Sequence, residues 1–364
     1  MKNPDLSDPY QSTIQKTDFG ILTTLTAKTG VSAHGNISFN EKTLLANYLY
    51  QKDGTYQLMY TTVDTEGNAE SFAEDNGILP TLFLSPDHES YVSFVPYDPD
   101  KESEISVPVF NRELIEQPKG NRPFTGKFAG TTNQFSIFYD VDIWSETKPD
   151  KMLSIEFKDH VIKKKHNIKV DLPRNNKIFI SDGEIHVLAN ADKGWLHRQI
   201  DELGNVKRER LIHSHKEWFW EILSLSFEKN SYILCEEDGK ISVEVIAPDL
   251  QCTTTDLADI KNEFFNTWQP VKIAENTFVT HFNGEFGNGW LTVKNDELIE
   301  LIYTKNKKGY INLITHDAVT MEKENLIISG INKTAENAYA VIFYPRTERE
   351  TKNKELLILN RKVQ

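Results

Sequence analysis

The segment Ile212-His213-Ser214-His215-Lys216-Glu217-Trp218-Phe219-Trp220-Glu221 concentrates more reactive and recognition-prone side chains than any other part of the chain. Two histidines at i and i+2 point to the same side of an extended backbone and can share a metal. Trp218 and Trp220 can stack on a sugar or clamp a peptide. A zinc centre takes three or four ligands, and the segment supplies only two, so His34, His281 or Glu217 would have to be recruited. The alternative is structural: the two tryptophans pack between sheets while His213 and His215 sit in solvent.

A second candidate is Phe138-Tyr139-Asp140-Val141-Asp142-Ile143-Trp144. On a strand, Asp140 and Asp142 face the same way about 7 Å apart. That separation suits a hard cation or a carboxylate pair flanking a glycosidic bond. Both acids fall on one strand, whereas a funnel-type hydrolase draws its acids from several. An exposed Asp face with Tyr139, Val141 and Ile143 buried is the competing reading. Gly284-Glu285-Phe286-Gly287-Asn288-Gly289 has phosphate-loop spacing but leads into a strand instead of a helix N-terminus, so it reads as a hairpin tip. Neither a G-x-S-x-G elbow nor an H-E-x-x-H pair occurs.

These residues must be positioned by strands. Residues 184–212 read as three antiparallel strands, with Ile185, Val187 and Ala189 alternating with Glu184, His186 and Asn190 in the pattern of a half-buried strand. Gly194 makes the first turn and Asp201-Glu202-Leu203-Gly204-Asn205 the second. The same grammar stands in residues 44–71, with Asp53-Gly54 at one turn and Asp64-Thr65-Glu66-Gly67-Asn68 at the other, so the two segments read as copies of one supersecondary unit. Seven such units follow each other at intervals of about 35 to 55 residues. Asp-Gly and Asn-Gly tips mark several hairpins. Short helical turns are expected at 111–117 and 256–265. Lys163, Lys164 and Lys165 with Lys169, and Lys207 to Arg210, fall on the last strands of their units, where charge blocks edge-to-edge pairing. Asn36-Ile37-Ser38 and Asn332-Lys333-Thr334 match the glycosylation sequon at chance level.

The repeated units with their glycine turns, such as residues 177–212, resemble the β-propeller superfamily over most of the chain. The resemblance is architectural, because no Trp-Asp blade ending, kelch double glycine or Asp-box is present. It implies an all-β propeller of seven blades, mainly of four antiparallel strands, closed by strands from the N- and C-terminal segments, with Gly20–Ala27 as the closing strand. Residues 1–18 are expected to form a polar arm or covering strand, and residues 19–364 a single propeller domain. Two packed β-sandwiches divided near Lys177 are the alternative.

Forty-one basic and 54 acidic side chains leave a net charge of −13 over 364 residues, which disfavours nucleic acid and anionic membranes as partners. Cys235 and Cys252 are too few for a zinc site and are expected to be free thiols. No apolar leader or membrane-length run occurs, so the chain as written is expected in the cytoplasm. No cofactor or metal is implied. The expectation is a non-catalytic, protein-binding propeller, monomeric on its own. Its candidate binding residues are His213, His215, Trp218, Trp220 and Trp144, and its partner is a protein of basic surface, in the sharper form a toxin that it neutralises as an immunity protein. The alternative is a carbohydrate-active hydrolase or lyase using Asp140 or Asp142.

Overall fold

The computed structural model describes residues 10–50, 54–74, 80–86, 90–94, 106–111, 113–121, 127–140, 151–158, 161–169, 176–192, 194–214, 221–237, 240–259, 266–267, 270–283, 288–304, 310–312, 318–319, 326–345 and 354–363. Every regular element among them is a β-strand. The architecture is that of a β-propeller, built from successive antiparallel meanders. Four-stranded sheets span residues 31–74, 80–121, 127–169, 176–212 and 221–259, and a larger sheet spans 266–319. A five-stranded sheet joins Tyr10–Thr17 and Gly20–Ala27 to Leu326–Ala335, Ala338–Pro345 and Glu355–Lys362. Four-stranded sheets predominate, as expected, while the two sheets nearest the chain's end carry extra strands.

The strands belong to two compact units. One comprises Met1–Leu79, Asp238–Ile241 and Asp256–Gln364, the other Pro80–Glu237 and Ser242–Thr255.

In the first unit, the terminal sheet is the centre of organisation. Gly20–Ala27 pairs antiparallel with Glu355–Lys362, Ile21 opposite Asn360 and Thr26 opposite Glu355, so the closing strand predicted from sequence is present. Both faces of this sheet are covered, and the period of two sorts its side chains into two cores. Leu22, Tyr339, Val341, Phe343, Leu357 and Leu359 pack with Trp290, Ile302 and Tyr310 of the 266–319 sheet. Their neighbours Leu25, Ala27, Ala340, Ile342, Leu356 and Ile358 pack with Leu45, Leu49, Met59 and Val63 of the 31–74 sheet. Gly20 makes the terminal pairing possible: its φ is +137°, and a Cβ there would lie 2.0 Å from the Asn360 carbonyl oxygen.

A buried polar network pins the same junction. Glu300 forms an ion pair with Arg361 and accepts from Thr292 Oγ1 at 2.8 Å and Tyr339 Oη at 3.2 Å, while Tyr339 Oη accepts from Trp290 Nε1 at 2.8 Å. Arg361 also donates to the Phe19 carbonyl at 2.9 Å and lies over the Phe19 ring at 4.9 Å. One guanidinium thus ties the N-terminal hairpin, the last strand and a strand of the neighbouring sheet.

The two turns read as copies are copies in detail. Asp64 Oδ1 accepts from Asn68 N at 2.8 Å and its Oδ2 from Asn68 Nδ2 at 2.9 Å; Asp201 and Asn205 repeat both bonds at the same lengths. Each turn is held by a hydroxyl of another sheet, Thr23 Oγ1 donating to the Gly67 carbonyl at 3.3 Å and Ser154 Oγ to the Glu202 carbonyl at 2.7 Å.

Two expectations are corrected and one alternative is decided. Within the expected arm or covering strand, Tyr10–Thr17 is a strand, anchored where the Tyr10 hydroxyl accepts from Asn47 Nδ2. Asn111 makes an Asx turn in place of a helical one, because its Oδ1 takes the amides of Glu113 at 2.9 Å and Ile115 at 3.0 Å before Glu116–Asn121 continues as a strand. Of residues 256–265, Asp256 to Asp259 extend the strand Cys252–Asp259 and 260–265 lie outside the described residues.

Removing one partner of a buried ion pair leaves the other charge uncompensated. Arg361→Met is expected to cost about 3–5 kcal/mol in urea denaturation, and adding Glu300→Gln to recover part of that loss. Equal costs for the single and double variants would show that the pair does not hold this junction.

Candidate functional site

The polar residues that the second unit gathers most closely lie on one face of the 176–212 sheet. The register sets them in rows. His186 stands opposite Gln199, Leu188 opposite His197, and His197 opposite Arg210. One half of this face is apolar, with Leu188, Trp195 and Ile212 packed against Ile222, Ile233 and Cys235 of the 221–259 sheet. The other half carries His186, His197, Gln199, Arg208 and Arg210 and meets the turn from Leu225 to Lys229. Between them is a recess of about 470 Å³ lined by Ser181, Glu184, His186, Arg208, Phe227 and Lys229, among others.

His186 is 3% exposed and His197 fully buried. Position 186 was predicted to lie on the exposed side of a half-buried strand, and it is buried because both faces of Glu184–Ala191 are covered. Ile185 and Val187 point into a second core with Ile137 and Met152 of the 127–169 sheet, while Leu188 points to the 221–259 sheet.

The hydrogen-bond chain determines both tautomers. Arg210 Nε donates to His197 Nδ1 at 3.0 Å. A guanidinium has no acceptor, so His197 carries its proton on Nε2 and donates it to His186 Nδ1 at 2.9 Å. His186 therefore keeps its own proton on Nε2, and the nearby Ser181 backbone favours the protonated ring. Burial outweighs that effect. Desolvation, with the Arg210 charge adding to it, holds His186 down to about 4, and desolvation followed by the neighbouring His186 and Arg210 holds His197 down to about 2.

Arg210 also fixes the opposing turn. Its Nη2 donates to the Ser226 carbonyl at 2.5 Å and to Ser231 Oγ at 2.9 Å, and its guanidinium lies 4.8 Å from the centre of the Phe227 ring. Phe227 stacks on His197 with centroids 4.3 Å apart. At the rim, Arg208 donates through both terminal nitrogens to Glu228 Oε1 at 3.2 Å; both partners are largely exposed, so this pair contributes little. At neutral pH both imidazoles are neutral, and the acceptor nitrogen of each is occupied, that of His197 by Arg210 and that of His186 by His197. The arrangement is a rigid, pre-organised concavity with a neutral floor.

Of the sequence candidates, His213 is exposed, and its carbonyl accepts from Cys252 Sγ at 3.2 Å. The next residue, Ser214, donates to the buried Glu244 carboxylate at 2.6 Å, which fixes where the segment leaves the sheet. Gly194 makes room for that exit: at φ +138°, a Cβ would lie 1.9 Å from the Ile212 carbonyl oxygen and 2.9 Å from Ser214 N. Asp140 ends the strand Ser136–Asp140 opposite Lys151. His215, Trp218, Trp220, Asp142 and Trp144 lie outside the described residues, so no convergence of these candidates is assigned. Among the described residues, no three His, Cys, Asp or Glu side chains are grouped to hold a metal ion. Neither cysteine is in a disulfide; Cys235 is buried and Cys252 half-buried. Sequence reading passed over His186, His197, Arg210 and Phe227. The hairpin registers carried the first three, since the hairpin ahead of Gly194 sets 188 against 197 and the next turn sets 197 against 210.

No protein-family model matches the sequence, and no curated protein matches it. Solved structures do. The β-propeller domain of the Trilobed protease from Pyrococcus furiosus is 8% identical, with a TM-score of 0.53 over 96% of this chain and 97% of that one. An acylaminoacyl peptidase from Pyrococcus horikoshii is 9% identical, with a TM-score of 0.53 over 93% of this chain and 52% of that one, so the chain spans about half of that enzyme's length. At such identities the likeness is one of fold. The Pyrococcus furiosus domain is described as having an open velcro topology; here the first and last strands share a sheet.

Acid should find the buried histidines. Above about pH 6.5 both folded and unfolded chains hold these rings neutral. Below it the unfolded chain takes up protons that the folded rings refuse until about pH 4 and about pH 2. Stability is then lost as pH falls, by up to about 1.4 kcal/mol per pH unit for each ring. Urea midpoints measured from pH 7.5 to 4.5 are expected to drop more steeply in the wild type than in His186→Gln, and parallel profiles would contradict the neutral assignment. At the segment's exit, Gly194→Ala is expected to lower stability by about 1–3 kcal/mol or more from backbone strain alone, read as a fall in Tm; an unchanged Tm would contradict the close approach.

Proposed function

We propose that this chain is a non-catalytic binding protein whose partner is a protein with a basic surface. The sharper form is the neutralisation of a basic toxin by an immunity-type protein. The observation that carries the reading is the disposition of charge. The chain has a net charge of −13, while the ionisable groups that the fold draws together are locked in structural bonds: Glu300 to Arg361 in one unit, and Arg210 to the neutral His197 and His186 in the other. Surplus carboxylates left at the surface steer cationic partners and set the salt dependence of their association. A rigid β-scaffold presenting exposed polar segments suits recognition. The recess floored by His186 adds a formed concavity to such a surface.

The peptidases of similar fold carry a propeller as part of a longer chain, but fold alone transfers no activity. The carbohydrate-active alternative would need Asp140 and Asp142 to serve as its carboxylates.

Co-expression with the products of adjacent genes tests the binding reading. A stable complex with a basic protein is expected, weakening at least ten-fold between about 0.05 and 0.5 M salt, across which screening shortens the reach of charge. A partner whose affinity ignores salt, or no complex at all, would refute it.

A further inference from the structure

The last strands of the four-stranded sheets are protected against pairing with another chain. Val161–Lys169 carries Lys163, Lys164 and Lys165, and Val206–Ile212 carries Lys207, Arg208, Glu209 and Arg210. Glu116–Asn121 holds Pro118 and a register break between Gln117 and Gly120. Ala69–Glu74 has two glutamates, and Cys252–Asp259 two aspartates. Charge, proline and bulges are the usual means of blunting an edge.

Tyr10–Thr17 differs. It is the fifth strand of the terminal sheet and its edge among the described residues. It pairs with Gly20–Ala27 over eight consecutive positions without a register break. It holds no proline, and its one charge is Lys16. Residues 11–16 are all exposed, Ile14 at 48%. Both ends are nevertheless fixed. Tyr10 is buried and its hydroxyl accepts from Asn47, and Thr17 Oγ1 donates to the Gly20 carbonyl at 2.9 Å. Carboxylates border the strand. Asp18 follows it, and Glu66 precedes Gly67, whose missing Cβ would sit 3.2 Å from the Ile14 side chain.

From these observations we infer that the Tyr10–Thr17 edge accepts an extended, basic strand of a protein partner by β-sheet addition. Main-chain hydrogen bonds along the open edge supply the pairing, exposed Ile14 selects a β-branched residue opposite it, and the bordering carboxylates select lysine or arginine at the strand's ends. A second copy of this chain fits worse, because it would bring the same carboxylates and a net charge of −13 against their own kind. The inference rests on the basic-partner reading and names its surface.

The test is hydrogen exchange of the full chain with and without an acetylated, amidated heptapeptide, KTVTVTK. Alternate amides between Gln11 and Lys16 are expected to slow at least five-fold. The exposed pair Thr13→Lys with Gln15→Lys should abolish this protection without changing Tm, while the charge-matched pair Val206→Lys with Leu211→Lys, on a guarded edge, should retain it. Absence of protection in residues 11–16, protection confined to another segment, or protection that survives Thr13→Lys with Gln15→Lys would overturn the inference. If a co-expressed basic partner binds that variant as tightly as the wild type, the edge assignment falls and the partner reading stands. If the peptide protects this edge but no basic protein partner forms a complex, the partner reading falls and the strand-accepting edge stands.

Discussion

A fold whose second and last strands lie side by side must hold these distant parts of the chain together against its conformational entropy, and here that task falls on one sheet. The pairing of Gly20–Ala27 with Glu355–Lys362 supplies the backbone bonds. Leucines alternating to the two faces supply apolar burial on both sides. Arg361 adds direction, since its guanidinium reaches the Phe19 carbonyl and the Glu300 carboxylate together. An ion pair so buried gains little net stability over an apolar substitute. What it contributes is a unique register, because slipping the last strand by one residue would turn Arg361 to the other face. The same slip would exchange the two cores of that sheet, Leu357 and Leu359 for Leu356 and Ile358.

Burial on both faces of a sheet also explains the polar cluster in the second unit. A strand covered on one side sorts apolar from polar residues; a strand covered on both sides must bury whatever its sequence places there. His186 and His197 are the residues so placed. Their cost is offset by a chain of donors and acceptors running from Arg210 through His197 to His186, and the same Arg210 secures the Ser226 turn. A buried hydrogen-bonded network of this kind fixes the side chains it joins.

The strand grammar was legible in the sequence wherever a turn announced itself. Asp64 to Asn68 and Asp201 to Asn205 specify their own geometry through side-chain-to-backbone bonds, which are local and so readable from residue type and spacing. The terminal pairing was legible from an orphan strand at Gly20. What period-two alternation could not reveal is whether one or both faces of a strand are covered, because that depends on sheets remote in sequence; this is why His186 reads as exposed and is buried. Asn111 misled for a related reason, since its carboxamide captures two amides that a helical turn would have used elsewhere. Within the candidate site, Arg210 reads as an edge-strand charge, and only the register that sets it opposite His197 gives it a second role. The charges of Val161–Lys169 and Val206–Ile212 were readable as edge protection, and it is their contrast with Tyr10–Thr17 that makes this strand stand out.

Binding by charge and open strand edge places modest demands on the scaffold except one: its terminal sheet must stay shut while its fifth strand remains available. Native-state hydrogen exchange in low denaturant measures this directly. Amides of Gly20–Ala27 and Glu355–Lys362 should open with one shared free energy equal to that of global unfolding, and the outward amides of Tyr10–Thr17 with a much smaller one. If Gly20–Ala27 opens at low cost, independently of Glu355–Lys362, the terminal sheet is not what holds the fold together.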